Sequence, residues 1–308
     1  MTHLVVGELC ADIVVALDGD PVFGQAETIV PSTQVVMGSS SAITACGLAR
    51  MGVETQLVSV VGDDLLGGFL LDELRRREVD VRHVRLDGSV PTGTSTILTR
   101  PDGDRAILTA LGSIGRTTVA DAPADLSGVR HVHVGSYFLQ HALHGELADW
   151  FAHVRSAGIT TSLDPNADPE GTWDSDVRAV LRHVDVLFCN EEEARGIAGS
   201  QDPVPVLSRL LPPGGRLLLK RGAAGAELRG ADGTTIACPV PEDPHPLRDT
   251  VGAGDSLAAG YLAARARGRS EADALRIGVR NGTASTRAAG GTAGQLSWDR
   301  ASGRRSPR

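Results

Sequence analysis

The chain has 308 residues, 41% of them hydrophobic, enough to bury a large core in one big α/β domain or two smaller ones. Its formal charge of −8 argues against a general affinity for nucleic acid or anionic membrane. No apolar run reaches the length of a bilayer span, and the N-terminus enters a strand pattern without a basic n-region or small-residue cleavage site; the expected location is the cytoplasm.

In chain order, residues 4–9 (LVVGEL) read as a strand, 40–52 (SSAITACGLARMG) as a helix ended by glycine, and 55–62 (TQLVSVVG) as a strand. An amphipathic helix follows at 65–79 (LLGGFLLDELRRREV). Strand patterns at 129–137 and 159–165 flank the helical 145–158 (GELADWFAHVRSAG), and the alternation continues through the strand at 184–190, the helix at 191–199 and the strand at 215–222. Such alternation predicts a mostly parallel sheet with helices on both faces and a site at the C-terminal ends of its strands. Two segments break the rhythm: 92–112 reads as two alternating strands around Pro-Asp-Gly-Asp, and 12–38 as extended chain with turns. Together they predict a small antiparallel lid contributed by about 12–37 and 92–112, on one domain covering 1–308 with a disordered tail at 299–308.

Cys10, Cys46, Cys189 and Cys238 form no C-x-x-C pair and are expected as free thiols, mostly buried. His131 and His133 alternate on one strand face with His141 and His144 close behind, yet no cysteine or acid completes a metal-binding spacing. Lys220 is the only lysine, and its neighbours do not fit G-x-x-x-x-G-K-[ST], which removes the P-loop route to phosphate. The glycines at 252, 254 and 260 also miss the dinucleotide spacing G-x-G-x-x-G.

The stretch 248–266 (RDTVGAGDSLAAGYLAARA) begins a helix with small residues and then an acid. Gly252, Ala253 and Gly254 leave first-turn amides open to an anion, while Asp255 either stabilises the helix N-terminus or works on that anion.

Residues 249–262 (DTVGAGDSLAAGYL) resemble the C-terminal signature of the ribokinase-like carbohydrate and nucleoside kinases, the PfkB family. Residues 7–12 (GELCAD), 38–52 (GSSSAITACGLARMG), 61–67 (VGDDLLG), 164–173 (DPNADPEGTW), 190–194 (NEEEA), 220–228 (KRGAAGAEL) and the helix containing Asn281 follow in that family's order. The resemblance implies a ribokinase-like three-layer sandwich with a β-lid, and transfer of the ATP γ-phosphoryl group to a primary hydroxyl of a ribose- or fructose-like sugar. It implies Asp255 as general base, with the amides of Gly252, Ala253 and Gly254 facing the charge on the phosphoryl group. A nucleoside kinase of the same fold and a non-catalytic ligand sensor are the alternatives.

For the acceptor, the resemblance points to Asp12, Gly38, Ser39, Ile43 and Gln140; Asp12 also reads as a turn-forming acid, and Gln140 as a solvent-facing loop residue. For the nucleotide it points to Asn190, Lys220, Arg221, Gly222, Gly225 and Asn281. Lys220 and Arg221 also read as a solvated pair at a strand end, and Asn281 as a residue turned to water. Asn190 and Glu193 match the family's N-x-x-E, with Glu193 holding Mg²⁺ through water, and equally form a helix capping box. Asp249 and the carbonyl of Val251 resemble a site for a monovalent cation such as K⁺, with the loop at 288–294 supplying other carbonyls. The resemblance also suggests a homodimer formed through the lid.

Three departures stand out. The family's paired glycines are Gly38 and Ser39 here, Ile43 takes an asparagine's place, and Asp168 stands where many members have arginine after D-P-N. If Ile43 faced the acceptor, a hydroxyl against it would go unpaired, and a deoxygenated or apolar-substituted sugar would be favoured.

Overall fold

The computed structural model describes residues 2–303 apart from 103, 174, 175 and 244. The first half runs β1 (Thr2–Val6), β2 (Cys10–Ala16), β3 (Ser32–Met37), α1 (Ser40–Arg50), β4 (Thr55–Gly62), α2 (Leu65–Arg76), β5 (Asp80–Asp87), β6 (Gly93–Thr99), β7 (Arg105–Ala110) and β8 (Val129–Gly135). The second half runs α3 (Leu147–Ser156), β9 (Thr160–Asp164), α4 (Val177–Leu181), β10 (Val186–Asn190), α5 (Glu191–Ala198), α6 (Pro203–Leu210), β11 (Arg216–Lys220), β12 (Ala226–Gly230), β13 (Thr235–Cys238), α7 (Ala253–Ala266), α8 (Glu271–Ser285) and α9 (Trp298–Ser302).

The main sheet has the order β13-β12-β11-β10-β9-β8-β1-β4-β5. Neighbours from β11 across to β5 run parallel, and β12 and β13 close that edge antiparallel. The strand alternation sorts side chains between two cores: Val5, Leu57, Phe188 and Leu218 join the layer under α1, α2, α7 and α8, while Leu4, Val58, Leu187 and Leu217 join the layer under α3 to α6. This is the expected three-layer sandwich. Glycine sets how closely α7 and α8 approach. A Cβ on Gly260 would lie 2.9 Å from the Cα of Gly278, and one on Gly282 would lie 2.8 Å from the Ala253 carbonyl oxygen. The seam carries the start of α7 to a fixed place at the sheet's carboxyl edge.

The lid is a separate sheet of order β3-β2-β6-β7. It is mixed rather than antiparallel: β2 and β6 are hydrogen-bonded parallel, because both strands leave the main sheet in the same direction before turning back through β3 and β7. The expected tail also needs correcting. Residues 298–302 form α9 with Ala301 fully buried in the helical layer, and 304–308 lie outside the described residues. The four cysteines are free thiols, Cys238 half-buried and the others buried. His131 and His133 are engaged with Ser162 between β8 and β9, at 2.7 Å each, and burial pushes the His133 ring down to about 4.

Candidate active site

Chemistry-bearing residues gather at the carboxyl ends of the parallel strands, where strand ends release side chains toward the lid. Glu8 follows β1, Ser136 follows β8, and Asp164, Asn190 and Lys220 end β9, β10 and β11. The start of α7 faces them. Gly252 is its N-cap with φ 70°, a left-handed conformation, and a Cβ there would lie 2.7 Å from the Cα of Gly291. Gly254 has ordinary backbone; what it leaves room for is Lys220, whose Cδ would stand 3.1 Å from an added Cβ. Asp255 lies in the first turn of α7, which begins at Ala253, and the Ala253 N–H donates to the Thr250 carbonyl at 3.3 Å.

Asp255 accepts a hydrogen bond from the hydroxyl of Ser40. Burial pushes its carboxyl up to about 7, and repulsion from Asp164 adds to this, while the Ser40 hydroxyl and the Lys220 ammonium oppose it. Lys220 Nζ donates to both oxygens of Asp164 at 2.9 and 2.7 Å and stands 3.8 Å from Glu193. Burial alone would lower its affinity for a proton; the carboxylates of Asp164 and Glu193 overcome that and raise it. Lys220 is thus a charge locked between acids rather than one of a solvated pair. Arg221 points the other way, into ion pairs with Glu191 and Glu227 at 3.0 and 2.6 Å.

Asn190 and Glu193 form a complete capping box. The Asn190 side-chain amide and backbone N–H each reach Glu193 at 2.7 Å, and Asn190 Oδ1 accepts from the Glu193 N–H at 2.9 Å.

On the lid side, Glu8 is 4% exposed and accepts from Ser40 N–H (2.7 Å), Ser41 Oγ (2.7 Å) and Ser136 Oγ (2.8 Å). Asp12, at the start of the lid, is buried; burial pushes its carboxyl up to about 6, with repulsion from Glu8 and Asp249 adding to it. Gly38 is required by Asp12, since a Cβ at 38 would sit 2.1 Å from its Oδ1. Ser39 holds φ 78°, where the family's second glycine would be unstrained, and its hydroxyl accepts from Ala42 N–H at 3.3 Å and donates to the Glu8 carbonyl. Gln140 is fully buried rather than solvent-facing, and neither polar atom of its amide has a partner among the described residues.

Several expected contacts fail. Ile43 is 2% exposed and packs on backbone: its Cδ1 lies 2.3 Å from where a Cβ on Gly291 would stand, and its Cγ2 3.0 Å from one on Gly252. It supports the loops around the α7 start instead of facing an acceptor, so the deoxy-sugar expectation loses its basis. Asn281 is fully buried with its amide spent between α7 and the chain after α8, donating to Ser256 O at 2.6 Å and accepting from Leu296 N–H at 2.8 Å. Asp249 is engaged by Arg105 of the lid (3.2 Å) and by the N–H groups of Val251 (3.0 Å) and Gly290 (2.9 Å). A guanidinium and two amides thus meet its oxygens. Asp168 ties its own loop, accepting from Glu170 N–H, Thr172 Oγ1 and Trp173 N–H.

Beside the α7 start lies a largely apolar cleft of about 510 Å³. Lys220, Ala253 and Gly254 line it together with Gly222, Gly225, Leu257, Val279 and Thr283. Of the residues expected around a nucleotide, Lys220, Gly222 and Gly225 line it; Asn190, Arg221 and Asn281 do not. Gly225 has a further reason to be glycine, since a Cβ would lie 2.1 Å from the Cys238 carbonyl oxygen. Sequence reasoning missed Glu8, Ser40, Ser136 and Asp164. Strand-end position was the available signal for Glu8 and Asp164; nothing in the local pattern marks Ser40 or Ser136.

Residues 2–298 match the pfkB family carbohydrate kinase model. The chain is 31% identical over 262 residues to a 2-dehydro-3-deoxygluconokinase of Bacillus subtilis, covering 80% of this chain and 79% of that protein. It is 33% identical over 242 residues to a fructokinase of Klebsiella pneumoniae, covering 73% and 76%. A solved Arabidopsis thaliana ribokinase complexed with ribose and ATP shares the fold at TM-score 0.80 and 21% identity, over 97% of this chain and 96% of that one. The chain belongs to the pfkB family of carbohydrate kinases, phosphotransferases that act on a sugar hydroxyl.

Proposed function

We propose that the chain transfers the γ-phosphoryl group of ATP to a primary hydroxyl of a neutral monosaccharide, with Asp255 as general base and the amides of Gly252 and Gly254 facing the transferred group, the Ala253 amide being turned to the Thr250 carbonyl. One observation carries this reading: Asp255 directly follows the cleft-lining Ala253 and Gly254 and accepts from Ser40 on the lid side. Ala253, Gly254 and Lys220 line a largely apolar cleft suited to a nucleoside, while Ser40, Glu8 and Asp12 lie toward the lid. A phosphate in the cleft and a hydroxyl on the lid side would meet at the acid.

The donor set fits a magnesium ion that arrives on the nucleotide. No group of three His, Cys, Asp or Glu side chains among the described residues could hold a metal, and the Glu193 oxygens are occupied by Asn190. Asn190 and Glu193 would therefore meet such an ion through water, and the ion would supply charge neutralisation of the phosphates. We do not assign K⁺ to Asp249 and Val251, because Arg105 already neutralises that carboxylate.

Neutrality of the acceptor follows from charge. Glu8, Asp12 and Asp255 are on the acceptor side, and the lid's Arg105 is paired with Asp249. An added carboxylate would meet repulsion of about 3 kcal/mol per acid at ~5 Å and an effective dielectric of ~20. Gln140, with its unspent amide, is our candidate for orienting the sugar. The lid is also our candidate for a homodimer contact, since its edge strand β7 exposes Ile107 and Leu108; light scattering with and without substrate tests it, and a monomer would remove the idea.

The test of function is ATP consumption against D-fructose, D-ribose, a sugar acid and nucleosides. Turnover at least about tenfold better with a neutral sugar than with the acid is expected. Preference for the acid overturns the charge argument, preference for a nucleoside moves the chain to nucleoside kinases, and no turnover with any acceptor overturns the kinase reading.

A further inference from the structure

Glu8 and the first turn of α1 do more than close the acceptor side. Ser40 is 9% exposed, and its two donors go to two different acids: the N–H to Glu8 Oε1 at 2.7 Å, the hydroxyl to Asp255 Oδ1. Glu8 cannot drift, because Ser41 and Ser136 hold its carboxylate, Asn166 in turn donates to Ser136 Oγ at 2.6 Å, and the Ser39 hydroxyl holds its backbone carbonyl. A buried carboxylate with no cationic partner among the described residues, held by hydroxyls and backbone amides, is costly to keep unless its geometry is used. Here it fixes the orientation of one serine.

We infer that Ser40, clamped by Glu8, is the residue that positions the Asp255 carboxylate, occupying Oδ1 so that Oδ2 alone is left for the acceptor hydroxyl. This rests on the reading of Asp255 as general base. In the reaction the acceptor O–H bond breaks and its proton passes to Oδ2. The freed oxygen forms the new bond to the γ-phosphorus, and the bond to the β–γ bridging oxygen breaks as ADP leaves. Without the Ser40 hydroxyl the carboxylate is free to rotate between its two oxygens and loses a donor that favours its ionised form. The groups facing Asp255 besides Ser40 are Asp164 at the end of β9, Lys220 at the end of β11 and Glu8 after β1, and substituting Ser40 leaves all three in place.

The experiment titrates aspartate carboxyl resonances by ¹³C NMR in the full-length wild type, Ser40→Ala, Ser40→Thr and Asp255→Asn. The pH dependence of kcat is read on the same proteins with D-ribose and D-fructose. The resonance that Asp255→Asn abolishes is Asp255. In Ser40→Ala, which keeps the backbone N–H to Glu8, its midpoint should rise by about one pH unit. The acid limb of kcat should move with it, with a loss of roughly tenfold below pH 7 that shrinks at higher pH. Ser40→Thr, which keeps a hydroxyl, should restore both. An Asp255 midpoint unchanged in Ser40→Ala, or unrestored in Ser40→Thr, overturns the role of Ser40. An Asp255→Asn protein with wild-type turnover overturns the base instead, so the two failures are distinct.

Discussion

The two sides of the site are built from different materials. The cleft side is made mostly of glycines and aliphatic side chains with three threonines, and among the described residues its lining charges are Lys220 and Arg287. The lid side is made of carboxylates, Glu8, Asp12 and Asp255, kept in register by serines and by a glycine that leaves them room. A surface that accepts the flat apolar base of a nucleotide needs shape; one that must discriminate among polyols and move a proton needs oriented polar atoms. Lys220 sits at the seam between them, bound to Asp164 and lining the cleft at once.

The comparison can be broken at three points. The largest effect is expected at the seam. Lys220→Met removes the cation from between Asp164 and Glu193, leaving two buried acids without it, and should cost roughly 3 kcal/mol or more of stability by denaturant melts; a neutral result would mean the cation is not needed to hold the two acids. Next, Gly38→Ala should damage the lid side alone, because the new methyl displaces the Asp12 carboxylate. The acceptor KM should rise at least about tenfold with the ATP KM unchanged, and equal rises in both would show that the two sides are not separable. The smallest effect belongs to Arg105→Ala. The pair with Asp249 is partly exposed, at 26% and 22%, and its loss should raise the acceptor KM by only about threefold to fivefold. Replacing potassium by choline should leave wild-type turnover unchanged; activation by potassium would show that Arg105 yields Asp249 to a cation.

Legibility followed the same division. Residues 55–62 form a strand in both the sequence reading and the structure, and the helix expected after Gly252 begins at Ala253, because strand alternation and glycine punctuation are local signals. The glycine-rich side of the site was visible for the same reason. Glu8, Asp164 and Ser40 were not, since their roles depend on neighbours 32 to 215 residues away: Ser40 reaches Glu8 and Asp255, and Asp164 reaches Lys220. Ile43 and Asn281 were misread for the converse reason. A position shared with a family motif fixes where the backbone lies, but the side chain that stands there can be spent on packing or on an interhelical hydrogen bond. Ser39 shows how a departure is absorbed: its left-handed backbone is strained for a serine, and its hydroxyl answers with two hydrogen bonds that a glycine could not make.

The central claim is that Asp255 is the base, carrying a carboxyl that burial has raised to about 7. Asp255→Asn tests it with two readouts of opposite sign. kcat should fall at least about a hundredfold while ATP binding changes little. Stability should move the other way. A carboxyl whose folded-state value is raised stabilises the fold only while protonated, so this contribution fades as pH rises through about 7, and at pH 8 the ionised Asp255 is a burden that asparagine removes. The variant should therefore melt higher than wild type at pH 8, with the gap closing as pH falls toward 4. A variant that is inactive yet more stable at pH 8 is the predicted result; one that keeps its turnover contradicts the account.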